Sequence, residues 1–378
     1  MKLVLLTEII APYRLPVFNA LAQHDGIELH VIFLAETDES LRQWRVYTEE
    51  IRFSYEVLPS WRARLGKSSF LVNSGVSAAL VKAAPNVIVC GGYNYAASWQ
   101  ALRWAGRHNV PFLVWIESTS ADERGHRRFV EYLKDRFLQR ARGFIVPGSS
   151  SFEYVKSFGI SENLIFIAPN AVDVGLFDCL SSLARKEAGA RRATLGLPPR
   201  YFLFTGRLVE AKGVFDLIEA YGRLASELRD MLGLVFVGDG VARTELQGRA
   251  TGIIPGKVQF PGFKQRDELA TYYACSDMFV FPTHSDPWGL VVNEAMSCTL
   301  PIVVSSAAGC AADLVTNDWN GRVIEAGSVE QLTAAMNDLA VDIRTLGEMG
   351  KRSRERISRY TPELCAQGIA NAALENCK

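Results

Sequence analysis

Tyr201-Phe202-Leu203-Phe204-Thr205-Gly206-Arg207-Leu208-Val209-Glu210-Ala211-Lys212-Gly213-Val214 holds the alternation on which the whole chain is built. A short run of aromatic and apolar residues reads as a buried strand, a glycine-bounded turn follows, and Val214–Leu228 has the spacing of a helix. Outward from this stretch the pattern repeats. Upstream, strands are expected at Leu3–Leu6, Ile27–Leu34, Phe53–Leu58, Asn86–Cys90, Phe112–Ile116, Gly143–Pro147 and Leu164–Ala168. Helical spacing lies between most of them, over Phe70–Ala83, Ala96–Arg107, Arg124–Ala141 and Ser150–Phe158. Downstream, strands are expected at Leu234–Gly238, Val258–Pro261, Met278–Pro282, Pro301–Ser305 and Arg322–Ile324. Strands alternating with helices make βαβ units and a parallel sheet.

A series this long closes into one barrel or forms two open sheets. Pro169-Asn170-Ala171-Val172-Asp173 and the polar stretch Ser181–Pro199, ending in Leu197-Pro198-Pro199, interrupt it in the middle. The expectation is therefore an α/β chain of two Rossmann-like, doubly wound domains facing a central cleft. The first covers 1–175 and the second 201–356, with 176–200 as linker. A terminal helix over about 357–378 is expected to pack back on the first domain. Ligands of such sheets bind outside the carboxyl ends of the strands.

The 378 residues carry 41 Lys+Arg against 41 Asp+Glu, so no excess of cations is present to neutralise a nucleic acid. A hydrophobic fraction of 48% suits a globular chain with a sizeable core. The neutrality is a cancellation, because residues 1–170 hold 19 basic and 16 acidic groups and the rest hold 22 and 25. Within the first half, Arg124–Arg142 concentrates seven basic residues against Glu131 and Asp135. Phe129, Leu133 and Phe137 recur there at helical spacing. The segment reads as a domain helix with its apolar stripe inward, or as a basic face for an anionic membrane, extended by Arg62, Arg64 and Lys67 beside Trp61. Seven scattered cysteines without a C-x-x-C pair fit reduced thiols. The short apolar run Leu3–Leu6 is below signal-peptide length, and a cytoplasmic location is the expectation.

Two segments just after strands carry the chemistry. In the opening stretch, Arg207 and Lys212 suit one anion such as a phosphate, beside the amides of a helix start; the plainer alternative is a turn with two solvated cations. Phe281-Pro282-Thr283-His284-Ser285-Asp286-Pro287-Trp288-Gly289-Leu290-Val291-Val292-Asn293-Glu294 sets two carboxylates eight residues apart across a turn into a helix. The amides of Gly289, Leu290 and Val291 would hold a diphosphate while the carboxylates hold sugar or ribose hydroxyls. The plainer alternative is an N-cap Asp with a surface Glu. Val237-Gly238-Asp239-Gly240 begins like a dinucleotide fingerprint, but Arg243 stands where its third glycine belongs, so a tight strand-to-helix turn is the reading.

Together, Gly206-Arg207-Leu208 with Lys212-Gly213, followed about 80 residues later by Asp286-x7-Glu294, resemble the family 4 retaining glycosyltransferases of GT-B fold. Cys298-Thr299-Leu300-Pro301, Gly309 with Asp313-Leu314-Val315, Asn320-Gly321 and Pro169–Asp173 extend the resemblance over most of 145–345. It implies that Arg207 and Lys212 hold and stabilise the donor diphosphate, Asp286 the donor sugar and Glu294 the ribose. Donor contacts would also come from Gly206, Gly238, Pro287, Trp288, Gly289, Leu290 and Val291, with the base near Gly262 and Phe263. The implied reaction moves a sugar, with retention, from a UDP- or GDP-sugar to a glycan, lipid-linked or small hydroxyl acceptor. No cofactor is implied, and no Asp-x-Asp triplet for a metal occurs in the chain. The chain departs from the family in Asp286 for the usual Glu, and in Thr299 where a glycine is usual. Thr7–Arg14 stands in place of a glycine-rich loop, and Trp115-Ile116-Glu117-Ser118 where a His is familiar. Tyr13, Arg14, Tyr93 and Glu117 are the acceptor-side candidates. A GT-B epimerase and a two-lobed sugar-binding protein are the competing readings; the first leaves the Asp286/Glu294 pair unexplained and the second is normally exported.

Overall fold

In the first strand, Lys2–Thr7 (β1), the run Leu3–Leu6 is shut off from solvent, as a central parallel strand covered on both faces requires. The computed structural model describes residues 1–37, 43–65, 68–122, 128–253 and 257–377. Further strands in chain order are β2 (Glu28–Phe33), β3 (Ser54–Val57), β4 (Ser60–Leu65), β5 (Ser68–Asn73), β6 (Val87–Gly91), β7 (Phe112–Trp115), β8 (Gly143–Val146) and β9 (Ile165–Ile167). Seven form one parallel sheet in the order β3-β2-β1-β6-β7-β8-β9. The chain moves outward from β1 to β3, then returns to the other side of β1, so the order reverses between β1 and β6.

A second sheet repeats the scheme with β10 (Tyr201–Thr205), β11 (Gly233–Val237), β12 (Val258–Gly262), β13 (Met278–Phe281), β14 (Ile302–Ser305) and β15 (Gly321–Ile324). Its order, β12-β11-β10-β13-β14-β15, is again parallel and reverses between β10 and β13. The chain divides into two compact units, Met1–Val172 with Thr361–Lys378, and Asp173–Tyr360. Each has its own parallel sheet. The helix Pro362–Asn376 belongs to the first unit, where Cys365, Ala366, Ile369, Ala370, Ala372 and Ala373 join the core beside β1.

Three expectations are corrected. The stretch 176–200 is mostly helical rather than a bare linker, in Val174–Lys186 and Ala188–Leu195. Asp173 caps the first of these by accepting from the Leu176 amide at 2.8 Å, and Val174, Phe177, Ser181 and Ala184 make its buried face. A polar average concealed an amphipathic stripe; Gly196, at φ 65°, and the prolines behind it end the second helix. The helix expected over Phe70–Ala83 starts only at Val76. Phe70, Leu71 and Val72 instead form β5, antiparallel to β4 with Trp61 opposite Val72. A three-residue apolar run serves either structure, and pairing with β4 decides it. Val214–Leu228 is split into Val214–Gly222 and Ser226–Met231.

Arg124–Arg142 lies partly outside the described residues, as does Lys67. In the helix Arg128–Leu138, Phe137 and Leu138 are buried, and so is Lys134. The Lys134 ammonium sits 4.6 Å from the Tyr154 ring centre and 4.7 Å from that of Phe158, so it adds nothing to a solvent-facing basic surface. Trp61, by contrast, is 69% exposed. Among the described residues no helix is long and apolar enough to cross a membrane. All seven cysteines are free.

Thr299 occupies the left-handed region at φ 60°. A β-branched residue there carries strain of roughly 1–2 kcal/mol, which accounts for the glycine usual at this position in the family it resembles. Thr299→Gly is expected to raise unfolding stability by about 1 kcal/mol, read as a higher denaturant midpoint at unchanged slope. A lower midpoint would show that the threonine side chain contributes more than its backbone costs.

Candidate active site

Both sequence motifs fall at the reversal point of the second sheet. Gly206 follows the last residue of β10, and Pro282 the last residue of β13. Neighbouring strands there send their following loops to opposite sides of the sheet and leave a crevice at the carboxyl edge.

The two loops are tied together by backbone and side chain. The Thr283 hydroxyl donates to Ala211 O at 3.0 Å, and the His284 amide to the same oxygen at 3.0 Å. His284 Nε2 lies 2.6 Å from Asp216 Oδ2. Gly213 has φ 66°, and a Cβ there would stand 1.9 Å from Pro282 O, so only glycine permits this approach. Lys212 is thereby aimed at the second motif. Its ammonium donates to Asp286 Oδ2 at 2.7 Å and to Ser285 O at 2.9 Å. Asp286 is fixed in turn, since its Oδ1 accepts from the Trp288 amide at 3.1 Å and its carbonyl accepts from Gly309 at 2.9 Å. Lys212 and Asp286 are largely withdrawn from water, which strengthens their interaction with each other and with any charge brought between them.

Gly289, at φ 94°, opens the helix Leu290–Ser297. One turn in, Glu294 is half-buried, and its Oε2 accepts from the Tyr273 hydroxyl at 2.8 Å. Burial pushes the Glu294 carboxyl up to about 7, against the lowering effect of the Tyr273 hydrogen bond.

Several expected donor contacts take supporting roles. The Trp288 side chain is 3% exposed and its indole N–H donates to Asn293 Oδ1 at 2.9 Å, so it braces the helix start from inside. A Cβ on Gly238 would meet Gly206 O at 1.9 Å, so these two glycines let adjacent turns touch. A Cβ on Gly240 would meet Leu208 O at 2.3 Å, and the Leu208 amide donates to Asp239 O at 2.9 Å. The Val237–Gly240 turn thus props the Gly206–Leu208 loop, in keeping with its reading as a tight turn. Arg207 is exposed on that loop, Pro287 is exposed, and Leu290 and Val291 are half-buried at the helix start. Gly262 ends β12 beside the Arg243 guanidinium, with half-buried Phe263 next to it.

The first unit collects a polar cluster at its own carboxyl edge. Arg14, past β1, forms an ion pair with Glu117, past β7, and its guanidinium lies 4.1 Å from the Trp115 ring centre. Asn170, past β9 and 2% exposed, donates to Glu117 Oε1 at 2.7 Å and accepts from Arg14 at 3.3 Å. Burial is the largest influence and works against the Arg14 charge, but Glu117, with Tyr13 and Cys365, together outweigh it and hold the guanidinium pKa above its ordinary value. Tyr13 packs edge-on to Trp44 at 5.9 Å. Tyr93 packs against Phe137 at 6.2 Å and hydrogen-bonds Ser118, next to Glu117, and burial pushes its phenol up to about 12. Neither Asn170 nor Tyr273 was expected as a site residue. Their roles depend on hydrogen bonds between residues 53 and 21 positions apart, for which a sequence carries no spacing signal.

Two family models match in tandem, one described as Glycosyltransferase Family 4 over residues 17–176 and one as Glycosyl transferases group 1 over 189–356. The chain belongs to the family 4 glycosyltransferases. Among curated relatives, it is 36% identical over 242 residues to sulfoquinovosyl transferase SQD2 of Arabidopsis thaliana, covering 62% of this chain and 45% of that one. It is 25% identical over 289 residues to a glycogen synthase of Mycobacterium tuberculosis, covering 76% and 67%. The chain spans about half the length of the first curated relatives it matches. Among solved structures, Anabaena HepE in complex with UDP superposes with a TM-score of 0.78 at 20% identity, covering 99% of this chain and 100% of that one. Sucrose-phosphate synthase from Thermosynechococcus elongatus gives 0.77 at 17% identity, covering 99% of each. These likenesses establish the GT-B fold, two Rossmann-like parallel-sheet domains.

Proposed function

We propose that this family 4 protein transfers a sugar from a nucleotide-diphosphate sugar to a hydroxyl acceptor, with retention of anomeric configuration and without a metal ion. The observation that carries the reading is the Lys212–Asp286 pair, set beside the start of Leu290–Ser297 at the reversal point of the second sheet. A cation and a helix start there suit a diphosphate, and a carboxylate next to them suits sugar hydroxyls. The relative bound to UDP and to UDP-glucose in solved structures supports a nucleotide-sugar donor.

Breaking the bond between the anomeric carbon and the diphosphate oxygen builds positive charge on the sugar and negative charge on the departing oxygen. Lys212, with Arg207 on the same loop, stabilises that oxygen, and Asp286 orients the sugar. The acceptor hydroxyl oxygen bonds to the anomeric carbon on the face the diphosphate leaves. Its proton passes to the departing phosphate oxygen, so no carboxylate base is required. Stabilisation of the leaving oxygen by fixed charges is the largest contribution of such a site. On the acceptor side, Glu117 keeps one oxygen bonded to Asn170 and Arg14, an arrangement that fixes the carboxylate for hydroxyl recognition. Because Arg14 is neutralised by Glu117, a neutral polyol or glycan fits this cluster better than an anionic head group. We place the enzyme in the cytoplasm, with membrane contact through the exposed Arg136, Arg140 and Arg142 and Trp61 as part of the same proposal.

The test is incubation with a panel of UDP- and GDP-sugars and candidate acceptors, scored for nucleotide release with and without EDTA. One donor is expected to be turned over at a rate that EDTA leaves unchanged, and NMR of the product is expected to show the donor's anomeric configuration. No turnover of any donor would sink the reading, and EDTA inhibition would sink its metal-free form.

A further inference from the structure

Tyr273 has no exposed surface, and its ring is wedged between Phe177 and Phe279, at centroid distances of 6.2 and 5.7 Å. Its helix, Arg266–Cys275, is opened by a reciprocal Gln265/Glu268 capping box, so the ring stands on a well-defined element. A ring held on both sides leaves its hydroxyl one position. There the oxygen meets Thr205 Oγ1 at 2.7 Å and Glu294 Oε2 at 2.8 Å. Thr205 is the last residue of β10, directly before Gly206, and is itself buried. One phenol therefore joins the loop carrying Arg207 and Lys212 to the helix carrying Glu294.

Burial, with the Glu294 carboxylate beside it, keeps the phenol pKa well above its ordinary value, so the oxygen retains its proton. The phenol donates to Glu294 Oε2, and the Thr205 hydroxyl shares a hydrogen bond with it on the other side. Glu294 then has Oε2 engaged by the phenol and Oε1 left as acceptor.

We propose that Tyr273 is a positioning residue for nucleotide recognition, holding Glu294 so that its second oxygen reads the vicinal hydroxyls of the donor ribose. This rests on the reading of Glu294 as the ribose contact. A buried tyrosine serving packing alone would influence stability but not the choice between ribose and deoxyribose. A positioning residue influences that choice directly, because a carboxylate free to rotate loses the geometry that penalises a missing hydroxyl.

The experiment measures competition by UDP and GDP, and by their 2′-deoxy and 3′-deoxy forms, against turnover by the full-length wild-type protein, Tyr273→Phe and Thr205→Val. Wild type is expected to prefer the ribonucleotide by roughly 10-fold or more, the size of a lost charge-assisted hydrogen bond. In Tyr273→Phe the preference is expected to shrink to within about 3-fold, with KM for the donor rising and kcat little changed. Thr205→Val, which removes the anchor of the phenol while conserving shape, is expected to fall between them and serves if Tyr273→Phe does not fold. A wild-type preference retained in full by both variants overturns the role of Tyr273 while leaving that of Glu294 intact. A wild type that does not distinguish ribose from deoxyribose overturns the Glu294 reading, and the present inference with it.

Discussion

Lys212→Ala is expected to lower kcat/KM for the nucleotide-sugar donor by on the order of 100-fold or more, chiefly in kcat. The ammonium is withdrawn from water and held against Asp286 at 2.7 Å and Ser285 O at 2.9 Å, so it is in place before a donor arrives. A charge that need not be gathered when the leaving oxygen turns anionic stabilises the transition state more than the ground state. The variant also leaves the Asp286 carboxylate half-buried without its cation, at a cost of about 1–3 kcal/mol, so a melting temperature lower by several degrees accompanies the loss of rate. Steady-state kinetics with a thermal melt checks both. Wild-type kinetics in a destabilised variant would make Lys212 a structural cation and remove it from the mechanism.

Glu294→Gln is expected to lose roughly 10- to 100-fold in kcat/KM and, unusually for such a position, to gain stability at alkaline pH. The folded protein holds the Glu294 carboxyl at about 7, whereas the ordinary value is 4.5. Between those limits the unfolded chain has released a proton that the folded chain still keeps. Stability from this group is therefore complete below about 4.5 and lost as pH rises through about 7. The deficit at pH 8 is on the order of 3 kcal/mol, which glutamine, having no charge to bury, avoids while still accepting from Tyr273. Melting curves of both proteins at pH 5 and pH 8 decide the matter: the variant should gain on wild type at the higher pH, and parallel curves would contradict the burial of a titrating carboxyl. A donor site that keeps a destabilising carboxylate trades stability for recognition.

Much of the fold was legible because parallel strands buried on both faces must be continuous apolar runs. Thirteen strand positions could be read from such runs or from shorter β-branched and aromatic ones, from Leu3–Leu6 to Arg322–Ile324, and all of them are strands. Segments whose state depends on a partner were not legible. Phe70-Leu71-Val72 has no preference strong enough to settle strand against helix until β4 lies beside it. The helix Val174–Lys186 was hidden by polar composition, since the core facing Phe177 and Ala184 is supplied by distant sequence.

The candidate site divides along the same line. Lys212, Asp286 and Glu294 could be named from the sequence because their spacing lies within single loop-to-helix units, where covalent geometry restricts how far apart they fall. That Lys212 pairs with Asp286, 74 residues away, depends on β10 and β13 being neighbours at the reversal of the second sheet. The same holds for Tyr273 under Glu294 and for Asn170 between Arg14 and Glu117. Trp288 shows the converse, a residue placed in the motif by spacing and turned into the interior by packing. The sequence alone determined the alternation of strands and helices and the residue types at the ends of those strands, because periodicity and turn chemistry act locally. Only the tertiary structure decided which of those ends meet, what each charge is paired with and which carboxyl is buried, because sheet order and desolvation belong to the assembled chain.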